Sequence, residues 1–254
     1  MIEEAEEKKT TITLQISSSA VSHPGAVHDV NEDAFLDKPE IGLWAVADGV
    51  GGHSLAKTAS RVVVDSLKSL SFACIRQKNS CDKITEKLVE ANLYLYQLAK
   101  NQLTGKSIAS TAVVLYIYAG QYHIFWVGDS RCYVFRDGKL QMLTQDHSQF
   151  ERQVETGVTF DEYATQNKLS NILTRAVGVK NELNIDTVSG EIKSDDVFWL
   201  CSDGGLKCLM EKEVEELMTT HTRIDHINDC IVHTSLQRKV GDNITSILVS
   251  AKLQ

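Results

Sequence analysis

Residues 109–143 read ASTAVVLYIYAGQYHIFWVGDSRCYVFRDGKLQML, and this stretch decides the fold class. It divides into four segments rich in β-branched and aromatic residues: Ala109–Ala119, Tyr122–Val127, Cys132–Arg136 and Lys139–Leu143. Ala119-Gly120 and Asp137-Gly138 supply the residue types that two-residue hairpin turns demand. Strands joined this closely pair antiparallel, because a parallel pair needs a long crossover.

The flanking sequence extends the pattern. Upstream, Thr11–Ser17 alternates as a strand does, and Ala34–Leu36 and Leu43–Ala47 are short apolar strands. Helices are expected over Leu55–Leu70 and Asp82–Thr104, where apolar residues recur three and four apart. Downstream come a polar segment over 150–171 and strands near Ile185–Ser189 and Val197–Cys201. Helices at Glu211–Thr219 and Ile224–Gln237 follow, and Ile244–Ser250 closes as a strand. Helices come in pairs and strands in hairpin runs. That order favours stacked antiparallel sheets with helices outside over a doubly wound parallel sheet. With only two prolines (Pro24 and Pro39), no repeat and no Gly/Ser linker, a single domain over 10–254 is expected behind an acidic tail at 1–9.

Composition narrows the function classes. An apolar fraction of 43% over 254 residues is enough for a hydrophobic core without disulfides. The six cysteines form no CxxC pair, which argues against a zinc knuckle and for a reducing compartment. The N-terminal MIEEAEEKKT has no apolar core of a secretory signal, and no run approaches the ~20 apolar residues of a membrane span. A cytoplasmic monomer without a membrane is expected. A net charge of −8 with no Lys/Arg-rich stripe argues against nucleic acid as the main ligand. Such a chain can still handle phosphate if a metal carries the positive charge.

Carboxylates stand where the apolar runs end. Asp48 follows Ala45-Val46-Ala47, Asp203 follows Trp199-Leu200-Cys201-Ser202, and Asp242 precedes Asn243-Ile244-Thr245. Asp129 repeats the arrangement in Val127-Gly128-Asp129-Ser130, and Glu32 and Asp33 sit beside another strand. Any one of these can be no more than a turn. Together, carboxylates brought to one sheet edge need a cation, since like charges a few ångströms apart repel. Oxygen ligands alone select hard ions such as Mg²⁺ or Mn²⁺. Glycine after Asp48 permits a sharp turn and offers a carbonyl as a further oxygen.

Eight segments, in order, resemble the metal-dependent protein phosphatases of type 2C (the PPM family), especially compact bacterial members. They are Gly25…Asn31-Glu32-Asp33, Val46–His53, Ser110-Thr111-Ala112, Val127–Arg131, Leu143–Ser148, Leu173–Gly178, Leu200–Gly204 and Gly241–Thr245. The resemblance implies an α+β fold, a four-layer αββα sandwich of two antiparallel sheets with helix pairs outside. It also implies two Mg²⁺ or Mn²⁺ ions bridged by Asp48, with the Gly49 carbonyl, Asp203 and Asp242 completing their ligands. Glu32 would hold metal-bound waters, Asp33 would orient the ligands from behind, and Asp129 matches the position of a weaker third ion. Water between the ions would attack phosphorus in line, with no phosphoenzyme. The substrate would be phosphoserine or phosphothreonine in a protein, opposing a Ser/Thr kinase.

Four departures from the family qualify this. His28 stands where relatives carry a phosphate-gripping arginine, so weaker phosphate binding that strengthens as pH falls is expected. Lys207 replaces an aspartate that helps the third ion. Its ammonium either occupies the space of a cation or, as expected here, points to water. Val50 replaces the general-acid histidine of eukaryotic members, and Ala56-Lys57 replaces Gly-Glu. His53 and His147 are expected to be structural hydrogen-bonders rather than acids, and Trp126 and Trp199 to be core. The segment 150–171 corresponds to the family's flap, read either as a substrate gate or as an inert excursion. Two other functions stay open: a pseudophosphatase that binds phosphoproteins without turnover, and hydrolysis of small phosphate esters.

Overall fold

The computed structural model describes residues 14–253 apart from 52–53, 76, 78, 103–106, 157–168 and 170–171. One sheet has the order β1 (Leu14–His23), β11 (Ile244–Leu253), β10 (Asp196–Cys201), β7 (Arg131–Arg136), β8 (Lys139–Met142). The other runs β2 (Asp33–Lys38), β3 (Leu43–Val50), β5 (Ala112–Tyr118), β6 (Gln121–Val127), β9 (Asp186–Glu191), with β4 (Ala109–Ser110) also on β3. Every pairing is antiparallel. At both hairpin turns two successive residues take positive φ, Ala119 and Gly120 at 51° and 77°, Asp137 and Gly138 at 52° and 74°. That matches the right-handed twist of the strands they join.

Strand alternation builds the layers. Along β3, Trp44 and Val46 pack between the sheets, while Leu43, Ala45 and Ala47 face helices α1 (Ser54–Lys68) and α3 (Ser80–Gln102), with short α2 (Phe72–Ile75) beside them. Along β10, Phe198 and Leu200 face the inter-sheet core, while Trp199 and Cys201 join the cluster under the last two helices. Those two helices span Glu211–Thr220 and Ile224–Gln237. Strands buried on both faces read as continuous apolar runs, which is why they were legible. The result is the four-layer αββα arrangement with three stacked hydrophobic interiors.

Three segments differ from expectation. β1 extends to His23, because its serine-rich end pairs with β11 along its whole length, from Leu14↔Leu253 to His23↔Ile244. Residues 1–13 lie outside the described residues. The stretch 109–119 is interrupted at Thr111, although its register on β3 is unbroken, with Val46↔Val113 and Gly49↔Ser110. In the 150–171 segment, helix α4 (Gln149–Glu155) is capped by Ser148 Oγ, which accepts from the Glu151 N–H at 3.3 Å. Most of the remaining flap reading lies outside the described residues.

Candidate metal centre

Both sheets bring strand ends to one place. Asp33 opens β2 and stands opposite Asp48 near the end of β3. Asp203 follows β10 as the first residue of helix α5 (Asp203–Leu206), and Asp242 precedes β11. Glycines let these ends close up. A Cβ on Gly49 would lie 2.1 Å from the Ala56 carbonyl oxygen of α1, and one on Gly204 would lie 1.9 Å from that of Asn243. Only glycine fits either contact.

The polar shell explains the break at Thr111. Thr111 N–H donates to the Asp48 carbonyl at 2.8 Å, as a ladder should. The return bond is different: Asp48 N–H donates to Thr111 Oγ1 at 2.9 Å instead of to the Thr111 carbonyl. Ser110 Oγ adds a 3.0 Å bond to the Asp48 carbonyl, and Thr111 Oγ1 lies 2.7 Å from Ser130 Oγ. Asp33 is held similarly, its Oδ2 accepting from Ser202 Oγ at 2.8 Å and Thr245 Oγ1 at 2.7 Å. Asn243 ties the N-terminal loop to β11. Its Oδ1 accepts from Glu32 N–H at 2.7 Å, and its Nδ2 donates to the Pro24 carbonyl at 2.9 Å.

Charge is concentrated here beyond what the protein neutralises. Burial drives Asp48 well above the usual carboxylate range, and the charges of Asp33, Asp203, Asp129 and Asp242 push it further. Burial lifts Asp33 to about 7, opposed by its Thr245 and Ser202 hydroxyl bonds and reinforced by Asp203 and Asp242. Burial lifts Asp129 to about 7 as well, with Asp203 and Asp146 adding to it. Asp203 is raised by burial even though Lys207 opposes the shift. Among the described residues, Asp33 Oδ1 and Asp203 Oδ1 are buried without a hydrogen-bond partner. Orphaned, crowded carboxylate oxygens are the donor set a hard divalent cation would satisfy.

Lys207 corrects the expectation that it points to water. Its Nζ lies 2.6 Å from Asp203 Oδ2 and 2.6 Å from Asp242 Oδ2. Among the described residues, no three acidic, histidine or cysteine side chains are closed around one point as metal ligands would be. Asp203 and Asp242 instead close around an ammonium.

A family model for protein phosphatase 2C matches residues 25–239. The chain belongs to the protein phosphatase 2C family. This phosphatase 2C chain is 29% identical to the serine/threonine phosphatase stp of Listeria monocytogenes over 235 residues, covering 90% of this chain and 93% of the relative. Among solved structures, PppA, a key regulatory component of T6SS in Pseudomonas aeruginosa, is 33% identical with a TM-score of 0.84, covering 93% of this chain and 97% of that one. Serine/threonine phosphatase Stp1 from Staphylococcus aureus is 27% identical with a TM-score of 0.83, covering 98% and 99%.

The remaining predicted residues of this phosphatase 2C chain fall as follows. His28 is exposed, and its Nε2 donates to the Gly241 carbonyl at 3.0 Å, next to Asp242. Glu32 is partly buried and anchored through its backbone to Asn243. His147 is buried, its Nδ1 accepting from Gly128 N–H at 3.0 Å and its Nε2 donating to Asp186 Oδ2 at 3.2 Å. Trp199 is fully buried, and Trp126 is buried with its indole N–H donating to the Gln145 carbonyl at 2.8 Å. His53 lies outside the described residues. Sequence reasoning missed Thr111, Ser202, Asn243 and Thr245 as supports. Their only signal was position: Ser202, Asn243 and Thr245 stand in segments that carry an aspartate, and Thr111 stands in Ser110-Thr111-Ala112, which carries none.

Proposed function

We propose that this phosphatase 2C family member hydrolyses phosphoserine and phosphothreonine in proteins, opposing a Ser/Thr kinase, with two Mg²⁺ or Mn²⁺ ions. Asp48, the Gly49 carbonyl, Asp203, Asp242 and Glu32 would hold them, Asp129 would hold a weaker third ion, and Asp33 would steady the set. The observation that carries this reading is the crowd of buried carboxylates with orphaned oxygens, in a chain matched to the family over residues 25–239. The chemistry such ions supply when bound is Lewis acidity, which makes water nucleophilic near neutral pH and offsets charge on the phosphoryl group.

The protein's own part is positioning. Thr111 and Ser110 hold the Asp48 backbone, Ser202 and Thr245 hold Asp33, and Asn243 holds the loop that carries Glu32. His28 would meet the substrate phosphate with one donor where arginine offers a fork. His28→Arg is therefore expected to lower KM and His28→Ala to raise it, with kcat changing less. A working place in the cytoplasm as a monomer completes the proposal. Among the described residues, no helix is long and apolar enough to cross a membrane.

The substrate assignment draws on the names of relatives, among them the Listeria serine/threonine phosphatase stp. The deciding experiment compares phosphoserine, phosphothreonine and phosphotyrosine peptides with free phosphate esters, in manganese. Release from the first two, abolished by EDTA and by Asp203→Asn, is expected. Faster release from free metabolites would move the assignment to small esters. One observation favours a second reading, a non-hydrolysing phosphoprotein binder: Lys207 stands between Asp203 and Asp242. Folded, manganese-loaded protein that binds phosphopeptides and turns none over would establish it.

A further inference from the structure

The aim of Lys207 is set by the backbone. Helix α5 spans only Asp203–Leu206, and the Lys207 N–H donates to the Asp203 carbonyl at 3.0 Å. Residues four apart on a helical turn share a face, and helical side chains lean toward the N-terminus. Lys207 is thereby directed back over Asp203. The turn cannot rotate away, because Gly204 is wedged against Asn243, the neighbour of Asp242. From there one ammonium reaches both carboxylates, at 2.6 Å each, in charge-assisted hydrogen bonds.

We propose that Lys207 is a tethered counter-cation for the Asp203–Asp242 pair, which a divalent ion must displace to bind there. The proposal rests on reading Asp203 and Asp242 as metal ligands. Three physical consequences follow. Two carboxylates in a crowded acidic site keep a partner when no metal is bound, which lowers the cost of holding them together. A side chain fixed to the same short helix competes at a high effective concentration, so the pair's apparent affinity for metal falls. Discrimination sharpens as well, because only a cation that gains more from both carboxylates than the ammonium does can take the place. The chain would thus respond to the free concentration of its divalent ion rather than stay loaded.

The test measures binding and stability, with no activity assay. Metal-stripped wild type, Lys207→Gln, Lys207→Met and Asp203→Asn are titrated with Mn²⁺ by calorimetry, and their thermal unfolding is followed with and without Mn²⁺. Both neutral Lys207 variants are expected to bind Mn²⁺ about tenfold or more tighter than wild type. They should also melt several degrees lower when metal-free and recover or exceed the wild-type midpoint when loaded. Two neutral side chains are used so that a packing fault in one is not mistaken for the effect. Unchanged Mn²⁺ affinity in both, with binding lost in Asp203→Asn, would overturn the role of Lys207 and leave the metal site standing. Wild-type binding in Asp203→Asn would overturn the metal site and this proposal with it.

Discussion

At Asp33, one oxygen is over-supplied and the other abandoned. Oδ2 takes two hydroxyl bonds, while Oδ1 is buried with no partner among the described residues. In the proposed metal centre Asp33 would be an outer partner that orients the metal-binding groups, and loss of such a partner typically costs 10–100-fold in metal affinity. Asp33→Asn keeps the shape and removes a negative charge from a crowd of like charges. Its Mn²⁺ affinity should fall about 10–100-fold, while its metal-free stability should not fall; calorimetry and urea unfolding read the two. His147 makes the complementary point for a neutral group. Its Nδ1 faces an N–H donor, so a second ring proton would be set against Gly128. Burial chiefly, and then the Arg175 charge, depress its proton affinity, with Asp186 opposing. A histidine whose folded value lies below its unfolded one takes up a proton on unfolding, so stability falls as pH drops below about 6.5. His147→Asn retains an acceptor for Gly128 and lacks the titrating ring. The stability advantage of wild type over this variant should narrow between pH 7 and 5, and a constant gap would contradict the neutral ring.

At the scale of elements, the segment around Thr111 shows what was legible and what was not. The hairpins could be read because turn residues and β-branched runs are local signals, and β3, β5, β6, β7 and β10 all follow from them. The end of β1 could not, because Ser17, Ser18, Ser19 and Ser22 give no apolar alternation, and β11 alone makes them a strand. The acidic positions stood out as aspartates at the ends of apolar runs. Their supports did not, because Asn243 reaches Glu32 and Thr245 reaches Asp33 across more than 200 residues of chain. Lys207 was misread because its aim depends on a single turn of helix. The interruption at Thr111 arises from one hydroxyl replacing one carbonyl as the acceptor for Asp48. Thr111→Val keeps the branched shape and removes that acceptor, leaving the Asp48 N–H buried and unpaired. A loss of about 1–3 kcal/mol is expected. Urea unfolding would reveal it, and a loss no larger than that of an exposed Thr→Val control would show that the ladder closes without the hydroxyl.

For the whole molecule, what matters is that the two sheets share one inter-sheet core but contribute separately to the acidic edge. Asp33 and Asp48 come from one sheet, and Asp203 and Asp242 flank strands of the other. A divalent ion held by residues of both would cross-link the sandwich at the place where its like charges push the sheets apart. Any ligand that binds only the folded state stabilises it by mass action, about 2.7 kcal/mol at a hundred times Kd. For a domain of this size each kcal/mol moves the midpoint roughly 2–4 °C. The midpoint should therefore climb by about 5–10 °C as Mn²⁺ is raised to a hundred times its Kd, and EDTA should return it. Asp203→Asn should fold and keep a midpoint indifferent to Mn²⁺. Thermal scans across a manganese series decide the matter: a flat wild-type midpoint would mean that no ion joins the two sheets at this edge.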